Sequence, residues 1–381
     1  MSNRIIAHFD LDSFFVSVER LQNSKLNGLP VIISGGSDRS VVSSCSYEAR
    51  KYGVRSGMPV KMAKYLCPEA VFIKGDMERY TYYSRIVTDI IAEQAPVYEK
   101  SSIDEHYIDV SGLDKFFGTI KWTKELRKKI INEIGLPISA GISVNKTVAK
   151  IATGEAKPMG EMVVDKPVVN MFLDPLPVKK IPMIGIKTQN ILKSMGIQKI
   201  KTLREMPVLL VERLLGKNGI SIWEKANGID NSPVISYHEQ KSLGAETTFE
   251  EDCSDIKLMT EIISEMTTNL SFRLRKDQWL TSCLTVKIRY SDFDTHTIQK
   301  NIPYTAFDHI LIPIAKELFQ KLYTRRVMIR LIGVRFSNLV RGVPQLNLFE
   351  DTTEMINLYR SIDYLKKKYG DRIIRKGFSW H

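Results

Sequence analysis

The sequence predicts a multidomain α/β (α+β) protein, and three observations carry that prediction. The first is length. At about 100 to 200 residues per domain, 381 residues make about two to four domains. The second is a βαββαβ order late in the chain, and the third is a pair of acidic clusters, about 100 residues apart in the first segment, that emerge from strand patterns. With 43% hydrophobic residues the chain can build real cores, which excludes a disordered protein.

In the first segment residues 5–12 (IIAHFDLD) alternate as a strand, with Asp10 and Asp12 arriving at its end, and residues 13–19 continue as a helix. Residues 97–110 read as a hairpin whose second strand starts at Asp104 and Glu105. Carboxylates emerging together from β structure repel one another and lose hydration, so a cation must neutralise them. A hard divalent ion such as Mg²⁺ does this with a few carboxylates, leaving substrate phosphates to complete its shell.

Domain breaks follow the prolines and glycines. Lys157-Pro158-Met159-Gly160 and Asp174-Pro175-Leu176-Pro177 bracket a boundary near 166, and Asn231-Ser232-Pro233 opens a polar linker. Beyond it come a strand (243–249), a helix (255–276), two strands (283–290 and 295–302), a helix (307–323) and a strand (327–336). That order describes a four-stranded sheet backed by two helices. Leu284, Val286, Ile288 and Tyr290 alternate with Thr285, Lys287 and Arg289, so the sheet has one apolar and one basic face.

The net charge of +12 points to a polyanionic partner, nucleic acid before membrane. Its distribution says more than its total. Residues 1–165 hold 22 basic and 20 acidic side chains, whereas residues 166–240 hold 11 and 6. No apolar run approaches the ~20 residues of a membrane span, and residues 1–9 do not read as a secretory signal. A cytoplasmic protein is expected. Cys45, Cys67, Cys253 and Cys283 show no CxxC spacing, which argues against zinc and against a disulfide framework.

Four stretches, FDLDSFFVSVE (9–19), SYEARKYGVRSGMP (46–59), SSIDEHYIDV (101–110) and GISVNKTVAKIATGEAKPMG (141–160), strongly resemble the Y-family, or translesion, DNA polymerases and within them the bacterial DNA polymerase IV group. The likeness extends through residue 349. It implies a right-hand architecture: palm at 1–19 and 75–165, fingers at 20–74, a helix-hairpin-helix thumb at 166–233, a linker at 234–241, a βαββαβ little finger at 242–341, and a clamp motif with tail at 342–381. It also implies error-prone, template-directed DNA synthesis past damaged bases, without proofreading.

By the same resemblance Asp10, Asp104, Glu105 and the Leu11 carbonyl hold two Mg²⁺, with Mn²⁺ able to substitute. Two ions about 4 Å apart suit an in-line displacement at phosphorus. Asp12 and Asp109 are expected to be structural. Tyr47 and Arg50 stand one helical turn apart and Lys157 comes from the AKP motif, all three toward the nucleotide phosphates, with Ser44 beside them. Phe15 matches the steric gate that excludes a ribose 2′-hydroxyl. His106, where the family has a small residue, is expected to alternate away from Glu105.

Residues 181–197 resemble a helix-hairpin-helix whose Gly185, Ile186 and Lys187 meet a DNA phosphate, although Met183 replaces its first glycine. Arg273, Arg275, Lys287 and Arg289 are expected phosphate contacts. Gln345, Leu346, Leu348 and Phe349 match a QLxLF peptide for a bacterial sliding clamp, and an amphipathic helix with a basic end follows it. The expected partners are primer-template DNA, dNTPs and that clamp, the protein being a monomer with no membrane association. Two other readings differ in class. A cyclase-like palm transferase leaves the thumb-like and little-finger-like segments unexplained, and a catalytically silent DNA- and clamp-binding scaffold has no need of the acidic set.

Overall fold

The computed structural model describes residues 4–113, 118–237, 239–342, 353–370 and 373–374. They divide into two units, Met1–His238 and Glu239–His381.

In the first unit β1 (Ile6–Leu11) leads into α1 (Phe14–Gln22), and β2 (Val31–Ser34), β3 (Val42–Cys45), α2 (Tyr47–Lys51), α3 (Val60–Leu66) and β4 (Val71–Lys74) follow. Next come α4 (Met77–Gln94), β5 (Val97–Lys100), β6 (Glu105–Asp109), α5 (Thr119–Ile134), β7 (Ile138–Ser143), α6 (Lys146–Ala156) and β8 (Glu161–Val164). The short helices α7 (Val169–Leu173), α8 (Ile186–Ser194), α9 (Ile200–Arg204), α10 (Val208–Leu215) and α11 (Lys217–Ala226) complete it.

Five strands form one sheet in the order β5-β6-β1-β7-β8, and β3-β2-β4 form another. The period of two along β1 divides its labour. Ala7, Phe9 and Leu11 enter a core with Val87, Ile90, Leu126 and Ile130 of α4 and α5. Ile6, His8 and Asp10 face the other way, toward α6, where Ile6 packs with Ala149 and His8 meets Thr153. Helix α6 can lie close to the sheet because residue 141 is glycine. A Cβ there would stand 2.3 Å from the Ala149 carbonyl oxygen and 2.5 Å from the Thr153 nitrogen.

The short helices bury Leu192, Ile200, Leu203, Val211 and Ile222 around Ile181 and Ile184. Met183, in the turn before α8, has φ +79°. That is the left-handed backbone a glycine would adopt without strain, which explains why glycine is usual there.

In the second unit β9 (Ser242–Cys253), α12 (Ile256–Lys276), β10 (Trp279–Tyr290), β11 (Thr295–Thr305), α13 (Asp308–Leu322) and β12 (Ile329–Arg341) reproduce the expected βαββαβ order. The sheet runs β11-β10-β12-β9, antiparallel throughout. β10 begins four residues earlier than its alternation suggested. Trp279, Leu280 and Thr281 are consecutive and all buried, so the start of the strand carries no apolar–polar alternation to mark it. As expected, Leu284, Val286, Ile288 and Tyr290 lie in the helix-backed core.

A last helix, α14 (Thr353–Tyr369), returns to this domain. Tyr359 is buried, stacks on Phe307 with ring centroids 5.3 Å apart, and its hydroxyl accepts from the His309 backbone N–H at 3.1 Å. This contact corrects one expectation. Arg275 does not offer its guanidinium to a phosphate: it pairs with Asp308 at 2.6 Å and twice with Asp363 of α14, its side chain only 10% exposed. Lys287 pairs with Glu246, two strands away, reaching across Gly333, where no side chain intervenes. Arg289 donates to Thr295, and Arg273 is exposed. Gln345, Leu346, Leu348 and Phe349 lie outside the described residues.

Candidate active site

Asp10 and Glu105 are register partners on the adjacent strands β1 and β6. Antiparallel partners put their side chains on the same face, so both carboxylates rise from one side of the sheet. Asp104 stands just before β6, and its carbonyl accepts the Leu11 N–H at 3.1 Å, locking the two strand ends together. The carboxylates predicted from motifs about 100 residues apart are therefore neighbours.

Burial pushes the Asp10 carboxyl up to about 7, with the like charges of Glu105 and Asp104 adding to the rise and Lys157 opposing it. Each acid has a hydrogen-bond partner. Lys157 donates to Asp10, Lys150 to Glu105 and Ser102 Oγ to Asp104, the last two at 2.5 Å. Drawn apart in this way, they do not form a ready-made chelate: among the described residues no three His, Cys, Asp or Glu side chains are gathered as a metal site. Their chemistry nonetheless fits a hard divalent ion. All are oxygen donors, and burial together with the like charges of Glu105 and Asp104 holds Asp10 well above the usual carboxylate range.

Asp12 belongs to the framework. It is 1% exposed and accepts from Tyr47 Oη at 3.0 Å, Ser139 Oγ at 2.8 Å and the Met159 N–H at 2.8 Å. Asp109 holds the following turn by accepting from the Ser111 N–H. His106 is buried on the core face, as its alternation suggested. Thr88 gives its own hydrogen to Ser84 O, so His106 Nε2–H donates to Thr88 Oγ1 at 3.0 Å and Nδ1 has no partner. Burial lowers its pKa to about 3.

Above the acids lies a cleft of about 210 Å³, lined by Asp10, Leu11, Phe15, Ser44, Arg50, Asp104 and Lys157 among others. Four of the five residues expected at the nucleotide are thus around one cavity. The fifth, Tyr47, does not line it: its hydroxyl goes to Asp12 and its ring lies under the Arg50 guanidinium at 4.7 Å. Tyr47 therefore steadies Arg50 from behind. Phe15 is held flat against Tyr80, with centroids 4.2 Å apart and planes 9° apart, and Tyr80 in turn donates to Glu19.

Sequence reasoning named Lys157 but missed Lys146 and Lys150 of α6 as the partners of Glu99 and Glu105. Lys146, Lys150, Thr153 and Lys157 recur at helical spacing, and that stripe was the available signal.

Comparison with known proteins agrees with this geometry. Residues 9–154 match the impB/mucB/samB family and residues 240–348 its C-terminal domain. The DNA polymerase IV of Dehalococcoides mccartyi is 36% identical over 387 residues, covering 99% of this chain and 98% of that protein. The chain belongs to the Y family of translesion DNA polymerases. The DNA polymerase IV of Treponema denticola is 33% identical over 98% of this chain and 96% of its own. Among solved Y-family structures, a Dbh-Dpo4(243-245)-Dbh chimera superposes with a TM-score of 0.81 at 26% identity. The insertion ternary complex of Dbh DNA polymerase gives 0.63 at 26% identity, and each covers 89% of this chain and 100% of its own. Like the rest of the family, this protein is a DNA-directed DNA polymerase of the translesion type. No helix among the described residues is long and apolar enough to cross a membrane.

Proposed function

We propose that this Y-family polymerase adds dNTPs to a primer 3′ end by two-metal nucleotidyl transfer, with Asp10, Asp104, Glu105 and the Leu11 carbonyl as the ion ligands. The observation that carries this reading is the register pairing of Asp10 with Glu105, with Asp10 and Asp104 lining a cleft walled by Arg50 and Lys157. Two Mg²⁺, or Mn²⁺ in their place, would supply an activated primer oxygen and charge neutralisation at the leaving pyrophosphate.

The chain's own residues do the rest. Asp10 and Asp104 would hold both ions, and Glu105 would hold the one that serves the primer end. Lys157 can exchange Asp10 for a nucleotide phosphate, and Arg50 presents a planar fork to the phosphates from its seat on Tyr47. Ser44 lies beside them. Phe15, immobilised on Tyr80, closes the sugar side against a 2′-hydroxyl.

We assign the palm to 1–19 and 75–165, the fingers to 20–74, the thumb to 166–233, the linker to 234–241 and the little finger to 242–341. The loop before α8, with Gly185, Ile186 and Lys187, suits a DNA phosphate. Arg273, Lys287 and Arg289 serve the same purpose on the little finger. Residues 345–349 would dock on the bacterial sliding clamp of a monomeric, cytoplasmic enzyme, consistent with four free cysteines.

Extension of a primer across a panel of damaged templates, with and without clamp, tests the reading. The wild type should insert opposite lesions and extend further with clamp. Retention of salt-sensitive DNA binding without any incorporation would instead mark a silent scaffold. Phe15→Ala should admit ribonucleotides at least about tenfold better relative to dNTPs, and unchanged discrimination would remove Phe15 from the gate.

A further inference from the structure

Lys150 has no duty in the reading above, yet its ammonium lies 2.5 Å from Glu105 Oε2. It is one step of a ladder in which α6 meets the catalytic face of the sheet. Lys146 pairs with Glu99, Lys150 with Glu105, Thr153 with His8, and Lys157 with Asp10.

The lysines at the two catalytic acids differ in one respect. Lys157 lines the nucleotide cleft, so an incoming triphosphate offers its ammonium a new partner and frees Asp10. Neither Lys150 nor Glu105 lines that cleft, so a nucleotide seated there offers the Lys150 ammonium no such exchange. Any cation taken by Glu105 must displace the Lys150 ammonium or sit beside it.

Building on the two-metal reading, we infer that Lys150 is a positioning residue that competes with divalent cations for Glu105 and sets their affinity there. The open arrangement of the acids is its structural consequence, because Glu105 is drawn toward α6 instead of toward Asp10 and Asp104. A doubly charged ion and an ammonium about 5 Å apart repel, even at the dielectric of water, by roughly a tenfold factor in affinity. The competition also orders the events, since nucleotide binding frees Asp10 but leaves Glu105 engaged.

The test is binding of Mn²⁺ alone to the full-length protein, without DNA or nucleotide, followed by the electron paramagnetic resonance signal of the free ion. Lys150→Gln should bind Mn²⁺ roughly tenfold more tightly than wild type. Lys150→Arg should stay near wild type, and Lys150→Met, which removes the charge but keeps an unbranched stem, should repeat the gain. In a Glu105→Gln background the Lys150→Gln gain should vanish, as coupling between the two residues requires. Thermal melting in EDTA checks that each variant is folded.

If Glu105→Gln weakens Mn²⁺ binding while Lys150→Gln leaves it unchanged or weaker, the competition is refuted and the two-metal reading survives. If Glu105→Gln binds Mn²⁺ as wild type does, Glu105 is not a ligand and both fall.

Discussion

Tyr47 donates its hydroxyl hydrogen to Asp12 Oδ1 at 3.0 Å, tying helix α2 to the end of β1. Ser139 and the Met159 N–H fill the rest of the same carboxylate, so Asp12 joins four separate pieces of chain behind the active site. Removing it leaves three donors without their acceptor, among them the fully buried Ser139 hydroxyl. Asp12→Ala should therefore cost about 3 to 5 kcal/mol in urea unfolding. Asp109→Ala, at a less buried acid, should stay within about 1 kcal/mol. Equal losses would mean that Asp12 is not the framework carboxylate described above.

His106 and His8 give the protein a predictable acid sensitivity. Burial lowers His106 to about 3, and burial together with the Lys150 and Lys157 charges holds His8 well below its usual range. A folded pKa below the unfolded value near 6.5 means that the unfolded chain binds the extra proton first. Stability is then fully present above pH 6.5 and falls as pH drops from 6.5 toward 3. Melting temperature across that window should decline on acidification. His106→Leu should reduce the slope by up to one proton, and an unchanged slope would show that His106 is already charged in the fold.

Gly141 permits the close approach on which the lysine ladder depends. Gly141→Ala would drive a methyl group into the Ala149 carbonyl and lift α6 from the sheet. It should cost about 3 kcal/mol or more and lower incorporation about a hundredfold. Gly154→Ala, on the same helix with nothing within 4 Å of its Cβ, should instead be neutral or stabilising by up to about 1 kcal/mol in chemical denaturation. A benign Gly141→Ala would mean that α6 has room to yield.

Local pattern made much of this protein legible. The FDLD and SIDE stretches identified themselves because a period of two and a run of carboxylates are both visible in sequence, and the βαββαβ order survived for the same reason. Partnerships set by long-range packing were not visible. Arg275 looks like any surface cation on a helix, and only the packing that brings Asp308 of α13 and Asp363 of α14 against it commits it to internal pairs. Lys287 was read correctly as a residue of the polar face, but its pairing with Glu246 needs the order of three strands and the gap at Gly333. Lys150 and Glu105 are 45 residues apart, and what joins them is the path of α6 over β7 and β1, which brings the Lys150 side chain to the neighbouring β6.

The central claim is that the acids at the end of β1 and the start of β6 perform nucleotidyl transfer, and single-turnover insertion of one dNTP by Asp104→Asn measures it most directly. The rate should fall by about a thousandfold or more, with primer-template affinity held within about twofold because Asp104 makes no DNA grip in this account. Insertion at the wild-type rate by a variant that binds DNA normally would contradict it.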